Sequence, residues 1–213
     1  MASVQLRLSQ QHLKQILDET APGWPLLPEL DQKRGDVAAL KNDQPAQALL
    51  TAAQEHVTKL YPIPQTTYTL YREFRHIGSR PGYETPYFLK RIRLTAASLA
   101  LFFGQDDLLD PVQDYLWNIC EESNWVVPAH EWAIIDLFAA ETGFQLAETL
   151  RLLKGTLQDE VVARVRMEIE KRILQNYLLH HAAHWWFKGT NNWNGVCNSS
   201  VGCTFLLLEE DTD

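Results

Sequence analysis

A helical period runs through most of the hydrophobic pattern of this chain. It is clearest between about residues 158 and 179, where one side is formed by Val162, Val165, Ile169, Ile173 and Tyr177. Apolar residues at intervals of three or four positions predict an amphipathic helix that buries this side. Glu168 lies four residues before Arg172, a spacing at which opposite charges support a helix.

Prolines and glycines predict where other helices begin and end. The helices, each with the residue that marks one end, are 45–60 (Pro45), 86–103 (Gly104), 110–122 (Pro111) and 131–153 (Gly155). In the predicted helix 86–103 the apolar positions are Ile92, Ala96, Leu99 and Phe103. In the predicted helix 131–153 they are Leu137, Ala140, Phe144 and Ala147. These spacings predict one buried side for each helix.

A last helix is predicted from near Asn194, and Gly195, Ser199 and Gly202 share one stripe of it. Small residues on a stripe allow a neighbouring helix to pack closely. Residues 66–85 are rich in Tyr, Arg and Gly without a helical period, and we interpret them as a long, ordered, exposed loop.

Residues 1–44 are predicted to form an irregular leading segment, with one short helix from Ser9 to about Glu19. Pro22, Pro25 and Pro28 follow that helix and favour irregular structure. No strand pattern of convincing length occurs in the sequence. About seven helices joined by loops therefore predict a single all-α domain of helical hairpins over residues 1–213.

Composition supports one globular domain, since 46% of the 213 residues are hydrophobic and 22% are charged. Neither a membrane span nor a signal peptide is indicated, which favours a cytoplasmic location over a periplasmic or secreted one. The net charge of -8 disfavours nucleic acid and anionic membranes as partners. Cys120, Cys197 and Cys203 lack metal-ligand spacing and are expected to be free, buried thiols.

One segment departs from the acidic balance of the chain. Residues 72–93 carry six basic side chains against Glu73 and Glu84. Two interpretations remain open here, because such a segment can meet an anionic ligand or can form the solvated, basic beginning of a helix.

The segment from Trp185 to Gly202, WWFKGTNNWNGVCNSSVG, concentrates amides and indoles. Its asparagines and tryptophans are Asn191, Asn192, Asn194, Asn198, Trp185, Trp186 and Trp193. These residue types bind sugars, because amides bond to hydroxyls and carboxylates while indoles cover apolar ring faces. The alternative is that the asparagines only cap a helix.

A second polar segment, CEESNWVVPAH, places Glu121 and Glu122 at a helix end and continues to Trp125 and His130. Anions are unfavourable at that end of a helix, which suggests partners for the glutamates, whereas the alternative leaves both solvated. We expect Trp125 to be exposed. The sequence predicts neither a metal nor a cofactor, since the histidines at 180, 181 and 184 lack a third ligand and Ile134 breaks the zinc-protease spacing after His130.

Three blocks of this sequence, ICEESNWVVPAHE, DLFAAETGFQLAETL and TNNWNGVCNSSVG, together resemble the heparinase II/III-like proteins. The resemblance covers about residues 66–208 and implies an (α/α) toroid, a ring of helical hairpins, followed in complete members by an antiparallel β-sandwich. On this reading the chain is the N-terminal part of such a protein. It would then contain an incomplete toroid and lack the β-sandwich domain.

The resemblance also implies an activity. Members of the family are polysaccharide lyases that cleave uronic-acid polymers such as heparin, heparan sulfate and alginate by β-elimination. An asparagine hydrogen-bonds the uronate carboxylate, so that a base can remove the proton at C5. That role falls to Asn192, with Asn191 second. Trp193 stands where several lyases carry an assisting histidine.

Further expectations follow from this resemblance. A catalytic tyrosine and a histidine would lie beyond residue 213, so residues 1–213 alone are expected to be inactive. Loops on the cleft side of the ring would contact the sugar. The substrate-binding residues expected there are Trp193, Trp125, His130, Glu122, Arg80 and Tyr83.

Two other functions remain open at this stage. The main alternative is a toroid domain that binds or senses an acidic saccharide without cleaving it, since Trp193 replaces a histidine. A toroid glycosidase that acts by hydrolysis is the third, and it needs paired carboxylates from distant segments.

Overall fold

The computed structural model describes residues 42–131 and 134–208, together with positions 9, 11, 12, 15 and 37. All regular structure in these residues is helical, which confirms the all-α fold class. We predicted an irregular segment with one short helix for residues 1–44. Apart from residues 42–44 and positions 9, 11, 12, 15 and 37, that segment lies outside the described residues. Within the same residues no helix has the length and apolarity needed to cross a membrane.

The α-helices of the described residues are numbered here in chain order. They are α1 Gln44–Val57, α2 Tyr68–Ile77, α3 Pro81–Phe102, α4 Leu109–Cys120, α5 Leu137–Leu152, α6 Asp159–Ile169, α7 Gln175–His180 and α8 Asn192–Leu208. Short 3-10 turns occur at Asp106–Leu108, Pro128–His130 and His181–Ala183, and a π-helical turn, Glu170–Leu174, joins α6 to α7.

The predicted helix ends next to prolines and glycines are largely confirmed. Helix α1 has Pro45 in its first turn, and the Asp43 side chain accepts a hydrogen bond of 3.2 Å from the Ala46 backbone N–H. Gly104 and Gly155 follow α3 and α5 with φ angles of 91° and 80°. Glycine has no Cβ and adopts these left-handed conformations with little steric strain, so it ends a helix at a low cost in free energy.

The exposed loop predicted for residues 66–85 is wrong. Half of the segment forms α2, and α3 begins at Pro81 instead of Pro86. Thr67 caps α2 by accepting from the Leu70 N–H, and Gly78 ends the helix with a φ of 69°. Leu70 and Tyr71 pack against a small cluster formed by Tyr83, Tyr87 and Val127. A ten-residue helix with one apolar side was thus hidden among its tyrosines and arginines.

Most of the core of the described residues is one large cluster, which joins α3, α4, α5, α6 and α8 through buried side chains, while the partly buried Val57 of α1 and Tyr177 of α7 pack against it. Helix α8 lies along α5, α1 lies along α3, and α4 contacts both α3 and α6. Val165, Ile169 and Ile173 are buried as predicted. By contrast, Ile92 is 47% exposed, so the side predicted for α3 is only partly correct.

The small-residue stripe predicted for the last helix does not make the close contact. A Cβ added at Gly195 or Gly202 would meet no atom within 4 Å. The buried side of α8 is formed instead by Cys197, Ser200, Val201 and Thr204. These residues are also small, so the close approach of α8 to α5 uses a neighbouring stripe of the same helix.

The π-helical turn places Arg172 against the end of α4. The guanidinium donates hydrogen bonds to the backbone carbonyls of Glu122 at 2.7 Å and Cys120 at 3.0 Å. It also pairs with Glu168, as the sequence predicts, through a contact of 2.6 Å. Carbonyls at the C-terminal end of a helix lack partners within the helix and carry negative partial charge. Arg172 therefore stabilises the segment that leads from α4 to Trp125.

Two glycines predict opposite effects of the same substitution. A Cβ at Gly143 in α5 would lie 2.9 Å from Cγ1 of Ile173, which is 1% exposed and cannot move aside. Gly143→Ala should therefore lower the free energy of unfolding by about 1–3 kcal/mol. Gly195→Ala, in open space on α8, should raise it by about 0.5–1 kcal/mol. Urea unfolding followed by circular dichroism measures both, and effects of the same sign would contradict the packing described.

Candidate functional site

The amide-rich loop before α8, residues 185–191, is fixed by two asparagines in the first turns of that helix. The Asn194 side-chain nitrogen donates to the carbonyls of Trp186 at 3.1 Å and Phe187 at 2.6 Å. Asn198 donates to the Asn194 carbonyl at 2.8 Å and accepts from the Tyr177 hydroxyl at 2.7 Å. These two amides therefore have structural roles and set the path of the loop into the helix, but neither caps it, because both side-chain nitrogens donate to carbonyls and neither side-chain oxygen accepts from a backbone N–H.

Asn191 and Asn192 differ from that pair because both are exposed. Asn192 is the first residue of α8, and neither side chain makes a hydrogen bond to another described residue. Their amide groups can thus donate to a ligand. The beginning of a helix also carries partial positive charge, which favours an anionic group at this place.

Trp186 attaches the amide-rich loop to the protein core. Its indole is fully buried, donates from Nε1 to the Ile135 carbonyl at 3.0 Å, and stacks on His184 with ring centroids 4.6 Å apart. The histidines do lie at a helix end beside the tryptophans, as the sequence indicates. Burial lowers the pKa of His184, so its ring is neutral at neutral pH. The described residues contain no group of three His, Cys, Asp or Glu that could hold a metal ion.

Two segments that are far apart in the sequence meet at Trp193. Its half-buried ring lies 4.8 Å from the His130 ring and 5.1 Å from the Trp185 ring, centroid to centroid. His130 comes from the 3-10 turn Pro128–His130, Trp185 lies in the amide-rich loop, and Trp193 is the second residue of α8. The structure therefore brings His130 and Trp193 together beside Asn191 and Asn192. We call these four residues and Trp185 the amide–aromatic face.

His130 is held by a carboxylate that the sequence analysis missed. Its Nδ1 lies 2.9 Å from Oδ2 of Asp136, which is completely buried. Asp136 also caps α5, because its Oδ1 accepts from the Ala139 N–H at 2.7 Å. Phe138 stacks on the other side of the imidazole at 5.6 Å. With Nδ1 donating to Asp136, Nε2 is the nitrogen left to exchange a proton.

Trp125 is not exposed, contrary to the sequence-based expectation. Only 1% of the residue is accessible, and its Nε1 donates to the Ile119 carbonyl at 2.9 Å. Arg172 lies over its ring at 4.9 Å, and Trp125 contributes to the lining of a small cleft of about 180 Å³. Arginine and core atoms occupy the ring faces, so this indole has no open surface for a sugar.

Glu122 is buried among cations and does not belong to the amide–aromatic face. One oxygen accepts from Lys90 at 2.9 Å and from Arg91 at 3.3 Å, and the other accepts from Arg91 at 2.8 Å. Burial alone would raise the pKa of Glu122, but the charges and hydrogen bonds of Arg91 and Lys90 outweigh it and hold that pKa below its usual range. This glutamate therefore has the partners that its unfavourable position suggested.

The remaining two predicted residues lie elsewhere. Tyr83 is buried, contacts the rings of Tyr71 and Tyr87, and lines a cleft together with Glu122. Arg80 is exposed and pairs with Glu84 at 2.7 Å. Of the eight predicted site residues, the structure thus brings His130 into contact with Trp193, which directly follows Asn191 and Asn192 in the chain, and it places Glu122 with Tyr83 in a separate cleft.

The burial of two predicted thiols is confirmed. Cys120 and Cys197 are buried and free, and Cys203 is free and half-buried. Burial raises the pKa of both buried thiols to about 12, so they are unreactive as nucleophiles at neutral pH.

No model of a known protein family matches this chain, and no curated protein matches it either.

Proposed function

We propose that this protein binds a uronic-acid saccharide at the amide–aromatic face and takes part in its cleavage by β-elimination, with the helices arranged as part of an (α/α) toroid. The observation that carries the proposal is the contact between His130 and Trp193. The two residues belong to separate blocks of the sequence that resemble the heparinase II/III-like proteins. Their contact joins an oriented imidazole, exposed amides and indoles at one surface.

Each group on this face has a role that suits the reaction. In the elimination a base removes the C5 proton of the uronate, the C4=C5 double bond forms, and the C4–O4 bond breaks so that O4 leaves and takes up a proton from an acid. The C5 proton becomes acidic when the uronate carboxylate is neutralised by hydrogen bonding. An exposed amide at a helix beginning, Asn192, suits that neutralisation because it donates without carrying charge. Nε2 of His130, oriented through Nδ1 by Asp136, suits the proton transfer.

The indoles would supply binding energy. Trp193 and Trp185 place two indoles next to the amides, and indoles match the apolar C–H faces of sugars in size. We therefore propose that Trp193 is a platform for the sugar ring. Because it is an indole in place of an assisting histidine, the same residue also favours the second candidate, a domain that binds acidic saccharides without cleaving them.

Binding of alginate and heparan sulfate oligosaccharides to the chain tests the common part of both candidates. Trp193→Ala and Asn192→Ala should each weaken binding roughly tenfold or more, measured by calorimetric titration. Matched controls are Trp117→Ala, an indole that is 40% exposed on α4, and Gln158→Ala, an exposed amide before α6. The absence of binding, or equal losses in the control variants, would contradict the proposal.

Proton exchange separates the two candidates. In D₂O, a protein that removes the C5 proton should replace it by deuterium, and the H5 signal of the bound uronate should decrease in NMR spectra. His130→Ala and Asn192→Ala should stop the exchange if both act as proposed, whereas Gln158→Ala should not. Saturable binding without any exchange would instead favour the non-cleaving domain.

A further inference from the structure

Helix α2 differs from the helices of the large core cluster because none of its ten residues is buried. Leu70 and Tyr71 are only partly buried, and Ile77 is 74% exposed. The small aromatic cluster on which α2 rests is separate from the large one. A segment that buries little apolar surface can open locally at a lower free energy than the whole protein needs to unfold.

The chain on both sides of α2 is suited to act as a hinge. Gly78 ends the helix with a φ of 69°, and a Cβ added there would meet no atom within 4 Å. Residues 64–67, which precede the helix, have no regular structure. Hinges are a few loop or helix-end residues that take up the change in backbone angles while the segment between them moves as a unit.

Polar contacts to one carboxylate hold α2 in place. The Tyr71 hydroxyl donates to Oε1 of Glu131, and Nη2 of Arg75 donates to Oε2 of the same side chain. Thr66, just before the helix, shares a side-chain hydrogen bond with Tyr83. The Arg75 side chain is 66% exposed, and ion pairs so open to water contribute little to stability. These contacts can therefore break while the rest of the protein stays folded.

A cleft of about 490 Å³ lies at the beginning of α2. Residues 65–68 and Tyr71 line it together with Tyr83, Lys90 and the end of α4. The Tyr83 ring is in edge contact with Tyr71 at 6.1 Å, and the residue is 7% exposed. The Lys90 side chain is only 2% exposed although it contributes to the lining. Movement of α2 away from the cleft would open a path for solvent to both residues.

We propose that α2 is a hinged cover of this cleft, which opens as one unit about Gly78 and residues 64–67 and is held closed by Glu131. Opening admits solvent to Tyr83 and Lys90 while the large core cluster stays folded. The cover does not depend on the function proposed for the amide–aromatic face, because no residue of that face lies in α2 or lines the cleft.

Hydrogen exchange of backbone amides in low concentrations of urea tests the opening in the complete chain. Amides inside α2 should exchange about tenfold faster or more than those of α5, with a weaker dependence on urea, because opening exposes less surface than unfolding. Similar rates and urea dependence in the two helices would overturn the proposal. Protection that decreases residue by residue toward the ends of α2 would also overturn it, since that pattern is fraying.

Variants separate the opening of α2 from global unfolding. Glu131→Ala removes both hydrogen bonds to the helix and should speed exchange in α2 about threefold or more. Gly143→Ala should speed exchange in α5 about fivefold or more but leave α2 unchanged, because it destabilises the closed and the open form equally. Glu84→Ala, the matched control, removes an ion pair outside this contact and should leave α2 unchanged. An α2 that responds to Gly143→Ala, or does not respond to Glu131→Ala, would overturn the proposal.

Acylation of Lys90 tests whether α2 covers the cleft. An excess of the N-hydroxysuccinimide ester of acetic acid labels amines that solvent can reach, and peptide mass spectrometry gives the rate for this side chain. The rate should increase in Glu131→Ala by the same factor as the exchange in α2, and Gly143→Ala should not change it. If it increased in Gly143→Ala together with the exchange in α5, Lys90 would be reached only by unfolding and α2 would not be its cover.

Discussion

Replacing Glu122 by alanine should lower the free energy of unfolding by about 3–5 kcal/mol, the cost of leaving buried charges without their partner. Lys90 and Arg91 remain almost inaccessible to water, and Glu122 is the carboxylate that pairs with both. Arg91 keeps its hydrogen bonds to Thr142 and to the Tyr87 carbonyl, but Lys90 keeps none to a described residue. Urea unfolding at neutral pH measures the loss.

Glu84→Ala is the matched control for this prediction. Glu84 pairs with Arg80 at a similar distance, 2.7 Å, but the arginine side chain is 45% exposed. Exposed ion pairs contribute about 0–1 kcal/mol, so the control should lose far less stability. Similar losses in the two variants would show that burial of the Lys90–Arg91–Glu122 cluster does not decide its strength.

The same cluster predicts a dependence of stability on pH. The pKa of Glu122 is lowered by folding, so its stabilisation is present above the usual glutamate range and is lost as the pH falls through the lowered value. Glu122→Gln should therefore be less stable at neutral pH, and its stability should fall less steeply in acid. Burial also lowers the pKa of His184, so protonation of this residue reduces the free energy of unfolding in acid. The reduction is the same in the wild-type protein and in Glu122→Gln, so it does not affect their comparison.

Replacing Asp136 by alanine should be the second large effect, about 2–4 kcal/mol. The substitution removes the cap of α5, which contributes about 0.5–2 kcal/mol. It also removes a buried hydrogen bond to His130, and bonds to charged groups contribute about 1.5–3 kcal/mol. Because the carboxylate fixes the imidazole, the His130 ring signals in NMR spectra should also broaden or shift.

Asp43→Ala separates capping from the contact with histidine. Asp43 caps α1 through the Ala46 N–H but is exposed and holds no imidazole. Its substitution should cost only the capping contribution, toward the lower end of that range because the cap is exposed. If both aspartate variants lost the same stability, the hydrogen bond between Asp136 and His130 would contribute nothing.

Much of the helical framework could be predicted because residues close to each helix end determine where the helix begins or ends. Pro45, Gly104, Pro111 and Gly155 each act within one turn of the chain, and a single sequence shows such signals. Helix α2 was missed although Leu70, Phe74 and Ile77 recur at intervals of four and three, because its tyrosines and arginines and the glycines and proline that follow it were taken as signs of a loop. Thr67 and Gly78, its caps, were the available signals.

The candidate site was less predictable because its contacts join distant segments. No spacing rule places His130 beside Trp193, and only the folded chain does so. Asp136 was open to detection, since an aspartate before the run LFAAETG is a typical cap. The burial of Lys90 and Trp125 was not, because charged and loop residues are exposed on average.

The π-helical turn also bears on how this chain should be aligned with others. A π turn is the insertion of one residue into an α-helix, and it rotates everything after it by about 100° relative to a regular continuation. Arg172 occupies the inserted turn and holds the carbonyls of Glu122 and Cys120. A protein of the same ancestry that lacks the insertion would show a one-residue gap between 170 and 174 and would have to support the end of α4 in another way.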